Sequence, residues 1–382
     1  MRILIDYRPA LRSRTGVGEY VHQVARVLGR AGRDEVTAFT SSWKDRPAPP
    51  LAGELAGVRL ADRRIPVRVL NFAWHRLEWP PVEALVGGVD VVHSPHPLLL
   101  PARSAAQVVT IHDLDFRAHP ERTAAEIRRD YPALARAHAR RADRILVVSH
   151  HVAAETARLL DVPADRIAVC PLGAPDWLSP RAPGQTPEDG YLLFMGTLEA
   201  RKNVGGLLEA YGRLVAGDPS LPRLVLAGSP GPDAARWLRD IGQPPLSGHV
   251  EHLGYVTGER RRHIYDRAHL LILPSWDEGF GLPALEAMAA GVPVVASNRG
   301  ALPEVIGDAG LLVDPADIDA LAAGIRRMLT DRSLAETAAA RGLRRAREFT
   351  WERTAHAVRQ AYEDAIAARR DRLAHASHAH RH

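Results

Sequence analysis

The chain contains almost no cysteine and almost no lysine. Its one thiol, Cys170, cannot close an internal disulfide and is too little for a structural zinc site, so the fold must rest on core packing. The same scarcity favours a cytoplasmic protein. Long apolar runs are also missing. No stretch approaches the roughly 18 residues that span a bilayer, and the opening Met-Arg-Ile-Leu-Ile meets an acid at Asp6, far short of the apolar core of a signal peptide. Any membrane role is then expected to be peripheral. Aromatic residues make up 5% and no basic run is interleaved with them, which gives a nucleic acid no stacking platform.

What is present is an ordinary globular composition, 46% hydrophobic and 25% charged, over 382 residues. Disorder and fibrous repeats are excluded, and at about 150 residues per domain the length suits two domains. Formal charge is +5 with a pI near 9.6. The basic residues are nearly all arginine, Lys44 and Lys202 being the exceptions. A modest positive excess suits phosphate-bearing ligands or an anionic membrane surface, and equally a solvated exterior.

Short β-rich runs alternate with helical patterns, which predicts parallel sheets flanked by helices. In the first half the runs are Ile3 to Asp6, Val89 to His93, Val108 to His112, Ile145 to Ser149 and Ile167 to Cys170. In the second half they are Tyr191 to Met195, Leu224 to Ala227, Val250 to Leu253, Leu270 to Leu273, Pro293 to Ala296 and Leu311 to Val313. The Pro- and Gly-rich stretch 179–190 lacks apolar periodicity and is expected to link two Rossmann-like domains, 1–178 and 191–350. A helix is expected over 351–373, followed by a disordered His-rich tail, 374–382. Ligands in such sheets bind beyond the carboxyl ends of the strands.

The segment Pro274-Ser-Trp-Asp-Glu-Gly-Phe-Gly-Leu-Pro-Ala-Leu-Glu-Ala-Met follows one of these strands. Gly279 and Gly281 let backbone N–H groups approach a ligand, and a helix beginning near Leu282 presents its positive end, as an anion site requires. Glu278 and Glu286, eight residues apart, are spaced to accept hydrogen bonds from sugar hydroxyls. The bland alternative is a tight strand-to-helix turn with Glu286 facing solvent.

The stretch Glu278-Gly-Phe-Gly-Leu-Pro-Ala-Leu-Glu286, with Gly291-Val-Pro-Val-Val, resembles the E-x7-E signature of retaining nucleotide-sugar glycosyltransferases of family 4, the GT-B type. That resemblance implies two facing Rossmann-like domains with parallel sheets and a C-terminal helix crossing back to domain one. It implies that Glu286 binds the ribose hydroxyls, that Glu278 meets the donor sugar, and that the backbone of Phe280, Gly281, Leu282 and Pro283 lies against sugar and phosphate. Phe194-Met-Gly-Thr-Leu-Glu-Ala-Arg-Lys-Asn203 resembles the family's G-x-L-x-x-x-K-N diphosphate clamp, with Arg201 and Lys202 beside Gly196 stabilising charge on the leaving diphosphate. On residues alone a solvated pair is the commoner reading.

In the first half, Gly16 and Gly18 open a helix after the first strand. A dinucleotide fingerprint would need glycine at 21, which is Val21, and an acid after strand two, where Val36-Thr-Ala-Phe-Thr has none, so a nicotinamide cofactor is rejected. The resemblance instead implies that this loop touches phosphate or acceptor, with Gly16 and Gly18 as donor contacts, the bland alternative being a plain strand-to-helix turn. Val109-Thr-Ile-His112-Asp113-Leu-Asp115 resembles the family's H-D-L motif, whose His approaches the donor sugar. His93 and His96 either line the acceptor side or pack in loops. Asp113 and Asp115 also spell the D-x-D metal motif of the other glycosyltransferase fold, which is discounted because an Arg-Lys clamp supplies the charge. No metal and no cofactor are expected. Six arginines from Arg122 to Arg141 form either a face for anionic lipid or a solvated helix.

The resemblance extends through Asp90-Val-Val-His-Ser-Pro, Ala142-Asp-Arg-Ile-Leu-Val-Val-Ser149 and Val169-Cys-Pro-Leu-Gly173, and looks closest to bacterial mannosyltransferases of polysaccharide assembly. It implies transfer of a sugar from a nucleotide-diphosphate donor, GDP-mannose favoured, to a hydroxyl acceptor with retention. His112, Glu278, Arg201 and Lys202 would act at the reaction centre, and Tyr255 near the base. A nucleotide-sugar epimerase, or UDP-sugar-dependent transfer to a small metabolite or lipid, stands as the alternative.

Overall fold

The computed structural model describes residues 1–12, 14, 16–47, 49–118 and 125–379. The chain divides into two compact units, Met1–Gly173 with Trp351–His382, and Ala174–Thr350. The first holds a seven-stranded sheet of β1 (Arg2–Asp6), β2 (Glu35–Thr40), β3 (Val58–Asp62), β4 (Val91–Ser94), β5 (Ala106–Ile111), β6 (Arg144–Val147) and β7 (Ile167–Val169) in the order β3-β2-β1-β4-β5-β6-β7. The second holds β8 (Tyr191–Met195), β9 (Leu224–Ala227), β10 (Val250–Gly254), β11 (Ala268–Leu273), β12 (Val294–Ser297) and β13 (Leu311–Val313), ordered β10-β9-β8-β11-β12-β13. Every pairing is parallel.

The apolar runs explain this. Ile3, Leu4 and Ile5, and likewise Leu192, Leu193 and Phe194, are wholly buried on both faces of their strands, as helix-covered parallel sheets require. Each sheet reverses its strand order once, between β1 and β4 and between β8 and β11. Those switch points are where doubly wound sheets leave room for a ligand.

The strand read at Val36-Thr-Ala-Phe-Thr is β2, whereas the apolar runs missed β3, whose short stretch is interrupted by Arg59 and ends on Asp62. Residues 179–190 were expected to be a linker, yet they pack within the second unit. The Arg181 N–H donates to the Ala290 carbonyl, its guanidinium to that of Ala268, and His269 Nε2 lies 2.7 Å from the Pro187 carbonyl. The division falls at Gly173/Ala174. The final helix runs Trp351–Ala379, beyond the expected end at 373; His380, Arg381 and His382 of the expected tail lie outside the described residues. Arg122 also lies outside them, as do the side chains of Arg128 and Arg129. Arg136 and Arg140 pair with Asp161, and Arg141 pairs with Glu78, so the described part of the arginine face is met by carboxylates.

The terminal helix belongs to the first unit. Trp351, Ala355, Val358, Tyr362 and Ala365 recur at helical spacing and are all buried. Thr354 donates to the Pro171 carbonyl at 2.6 Å, Arg359 meets Asp34 at 2.8 Å, and Arg372 pairs with Asp143. Tyr362 reaches His93 Nδ1 at 2.7 Å, while His93 Nε2 lies 2.7 Å from Thr110. His93 is therefore a core residue and not a lining of the acceptor side.

Burial drives His22, His75, His93 and His112 of the first unit neutral. His93 is pushed down to about 3, and His22, His75 and His112 to about 4, desolvation being the main cause in each. Between those values and the unfolded-state value near 6.5 the unfolded chain binds more protons, so stability must fall as pH drops through that window. At pH 5, His93 alone is expected to cost the first unit about 2 kcal/mol. A thermal midpoint that stays level from pH 7.5 to 5 would contradict this.

Candidate functional site

In the second unit the residues following β8 and β11, the two strands at the switch point, meet at their carboxyl ends. After β8 the chain passes Gly196, a residue at φ 156°, then makes a 3-10 turn over Ala200–Lys202. Asn203, in the left-handed region at φ 54°, ends that turn and starts the helix Val204–Gly217. Its buried amide donates to the Pro315 carbonyl at 2.9 Å. The turn is tied to the neighbouring loop by the Trp276 N–H, which donates to the Arg201 carbonyl at 2.8 Å.

That arrangement delivers both cations onto Glu278, which is 5% exposed. Lys202 Nζ lies 2.5 Å from Glu278 Oε1, Ser275 donates to the same oxygen at 2.8 Å, and Arg201 Nη1 stands 3.9 Å from Oε2. Arg201 also donates to the Asp277 carbonyl at 3.2 Å and to Glu199 at 3.1 Å. Burial by itself raises a carboxyl's pKa. Here the charges of Lys202 and Arg201, with the hydrogen bonds from Lys202 and Ser275, prevail and hold Glu278 below its ordinary range. The carboxylate is thus ionised, with both cations beside it.

Gly300 completes the support. A Cβ there would sit 2.7 Å from the Glu278 nitrogen and 2.9 Å from its carbonyl oxygen, and the Ala301 N–H donates to that carbonyl at 2.9 Å. Sequence reasoning missed Gly300, although Asn298-Arg-Gly after a strand is a usual turn signal.

Beyond Glu278 the loop turns at Gly281, at φ 92°, and enters the helix Leu282–Ala290, with Pro283 in its first turn. Phe280 is buried, its ring edge-on to Phe349 at 5.8 Å, so its side chain anchors the loop. Glu286 is 3% exposed and not solvent-facing. Tyr265 donates to its Oε2 at 2.7 Å and Arg261 Nη2 lies 2.6 Å from Oε1. Neither partner was singled out from the sequence, because Gly258-Glu-Arg-Arg-Arg-His reads as a solvated charged turn; the only signal is the i,i+4 spacing of 261 and 265. Tyr255 follows β10 and is 45% exposed.

The first unit contributes separate features. Gly16, at φ 48°, precedes the helix Val17–Ala31, accepts the Tyr20 N–H at 3.0 Å and has open space where a Cβ would stand; Gly18 is buried. His112 follows β5 and packs edge-on to Tyr20 at 4.9 Å. Its ring donates to the Pro95 carbonyl, while the buried Nε2 has no hydrogen-bond partner. Since burial keeps the ring neutral, Nε2 carries a lone pair. His96 Nε2 stands 3.6 Å from Asp6, whose carboxyl is held far below its ordinary range by Arg8 despite full burial. Asp113 and Asp115 lie after β5, and among the described residues no cluster of three His, Cys, Asp or Glu side chains is arranged to hold a metal.

Comparison with known proteins matches residues 14–176 to the model "Glycosyltransferase Family 4" and residues 177–345 to "Glycosyl transferases group 1". The chain is 38% identical over 283 residues to O-antigen chain mannosyltransferase B of Escherichia coli, covering 72% of this chain and 74% of that one. It is 30% identical over 410 residues to a glycogen synthase of Mycobacterium tuberculosis, covering 97% and 95%. Among solved structures, sucrose-phosphate synthase from Thermosynechococcus elongatus superposes with a TM-score of 0.75 at 23% identity, over 96% of this chain and all of the other, a likeness of fold.

Proposed function

Because the chain belongs to the family-4 glycosyltransferases of GT-B fold, we propose that it moves mannose from GDP-mannose to a hydroxyl acceptor with retention, in the assembly of a polysaccharide or glycoconjugate. The observation that carries this reading is the buried Lys202–Glu278 ion pair, with Arg201 beside it, at the switch point of the second sheet. A nucleotide diphosphate brings two negative charges to such a place, and Arg201 and Lys202 take them up. Glu278, released from Lys202, then accepts from hydroxyls of the sugar, and Glu286 accepts from those of the ribose. His112, neutral with a lone pair on Nε2, orients the sugar.

In this reading no side chain attacks the anomeric carbon: the acceptor oxygen bonds to it on the face from which the diphosphate oxygen departs. Its proton passes to that departing phosphate. Arg201 and Lys202 stabilise the charge that builds on the leaving group, the function a metal ion performs elsewhere, so activity is expected to survive EDTA. The mannose assignment is supported by the mannosyltransferase relative.

Thermal unfolding with GDP, UDP and ADP tests the reading. GDP at a hundred times its Kd is expected to add about 2.7 kcal/mol of stability. Stabilisation by UDP or ADP alone would replace the donor, and stabilisation by none of the three would overturn the site. Donor incubated without acceptor should not be epimerised, and NMR of the product should show the donor's anomeric configuration.

A further inference from the structure

We propose that Arg261 and Tyr265 are positioning residues that set the plane in which the Glu286 carboxylate meets the nucleotide, an inference that rests on Glu286 being a nucleotide contact. The helix Gly258–Asp266 places residues 261 and 265 one turn apart on a single face. From that face each oxygen of Glu286 receives its own donor, Arg261 on Oε1 at 2.6 Å and Tyr265 on Oε2 at 2.7 Å. Both carboxylate oxygens are thereby fixed by one rigid element that does not itself contain the glutamate.

A glutamate has three rotatable bonds, and a vicinal diol is recognised well only when both carboxylate oxygens are presented in a defined plane. Two donors from one helix face remove that freedom before the ligand arrives, so ordering is not charged against binding. The donors are chemically suited to this. Arg261 neutralises a buried carboxylate and carries its guanidinium over the Trp177 ring at 5.9 Å. Tyr265 is wholly buried, and burial together with the neighbouring Glu286 charge keeps its hydroxyl protonated and donating.

A double-mutant cycle on GDP binding, or on whichever of UDP and ADP the wild type binds, tests the inference. Tyr265→Phe keeps the ring and removes only the hydroxyl. It is expected to raise Kd about tenfold, with the loss in turnover carried by donor KM more than by kcat. In a Glu286→Gln background the same change should add nothing further, because the hydroxyl acts through the carboxylate. Arg261→Lys should recover part of the binding that Arg261→Gln loses. If Tyr265→Phe binds as wild type while Glu286→Gln binds tenfold or more weakly, positioning is wrong and the site reading stands. Additive losses in the double variant would make Tyr265 a structural tie only. Unweakened binding by Glu286→Gln would remove the premise itself.

Discussion

Replacing Lys202 by alanine is expected to lower kcat/KM, followed as release of nucleoside diphosphate, by about a hundred- to a thousandfold. The substitution removes a cation from the leaving group. It also strips Glu278 of its nearest partner, leaving that buried carboxylate with Ser275 at 2.8 Å and Arg201 at 3.9 Å. Lys202 is the foremost of the influences that hold Glu278 ionised against burial, so in the variant Glu278 takes up a proton at higher pH. The acid limb of the rate profile should therefore move upward. Lys202→Arg should restore charge without restoring rate fully, since a planar guanidinium does not reproduce the compact ammonium at 2.5 Å. A folded Lys202→Ala protein with wild-type kcat/KM would refute the clamp.

The second large effect is on stability. Tyr362→Ala should cost the first unit about 3–5 kcal/mol, a sizeable part of the roughly 5–15 kcal/mol that holds an ordinary domain together. Its ring is wholly buried, and its hydroxyl is the Nδ1 partner of His93, which is wholly buried too. Tyr362→Phe keeps the packing and leaves only that nitrogen unsatisfied, a cost of about 1–3 kcal/mol. Denaturant unfolding followed by amide exchange at β4 and β5 reads the difference. Equal protection in Tyr362→Ala and wild type would show that the terminal helix does not hold the sheet.

The motif residues stood out in advance because their local sequence is unusual: glycines between a strand and a helix, two carboxylates at fixed spacing, one of two lysines in a chain that otherwise uses arginine. The parallel sheets were readable because strands covered on both faces are apolar throughout. What escaped has a common physical origin. Arg261, Tyr265 and Gly300 act by packing against Glu286 and Glu278 from segments 21 or more residues away in the chain, and nothing in their own neighbourhoods shows that they are buried. Residues 179–190 have no apolar periodicity, yet Arg181 and Pro187 tie them to Ala290, Ala268 and His269 of the second unit. At a strand's carboxyl end His93 reads either as a lining residue or as loop packing, and the partners that enclose it, Thr110 and Tyr362, lie 17 and 269 positions away.

The first unit is assembled from two stretches of chain, with all of Ala174–Thr350 between them. During synthesis its seven strands are complete by Val169, whereas Tyr362 emerges only after the whole second unit has been made. At about 5–20 residues per second the His93 face waits roughly ten to forty seconds for its cover. The second unit, contiguous in the chain, can close its core meanwhile. The order of maturation is therefore the reverse of the order of emergence: the unit carrying Glu278 and Glu286 finishes first, and the unit that began the chain finishes last.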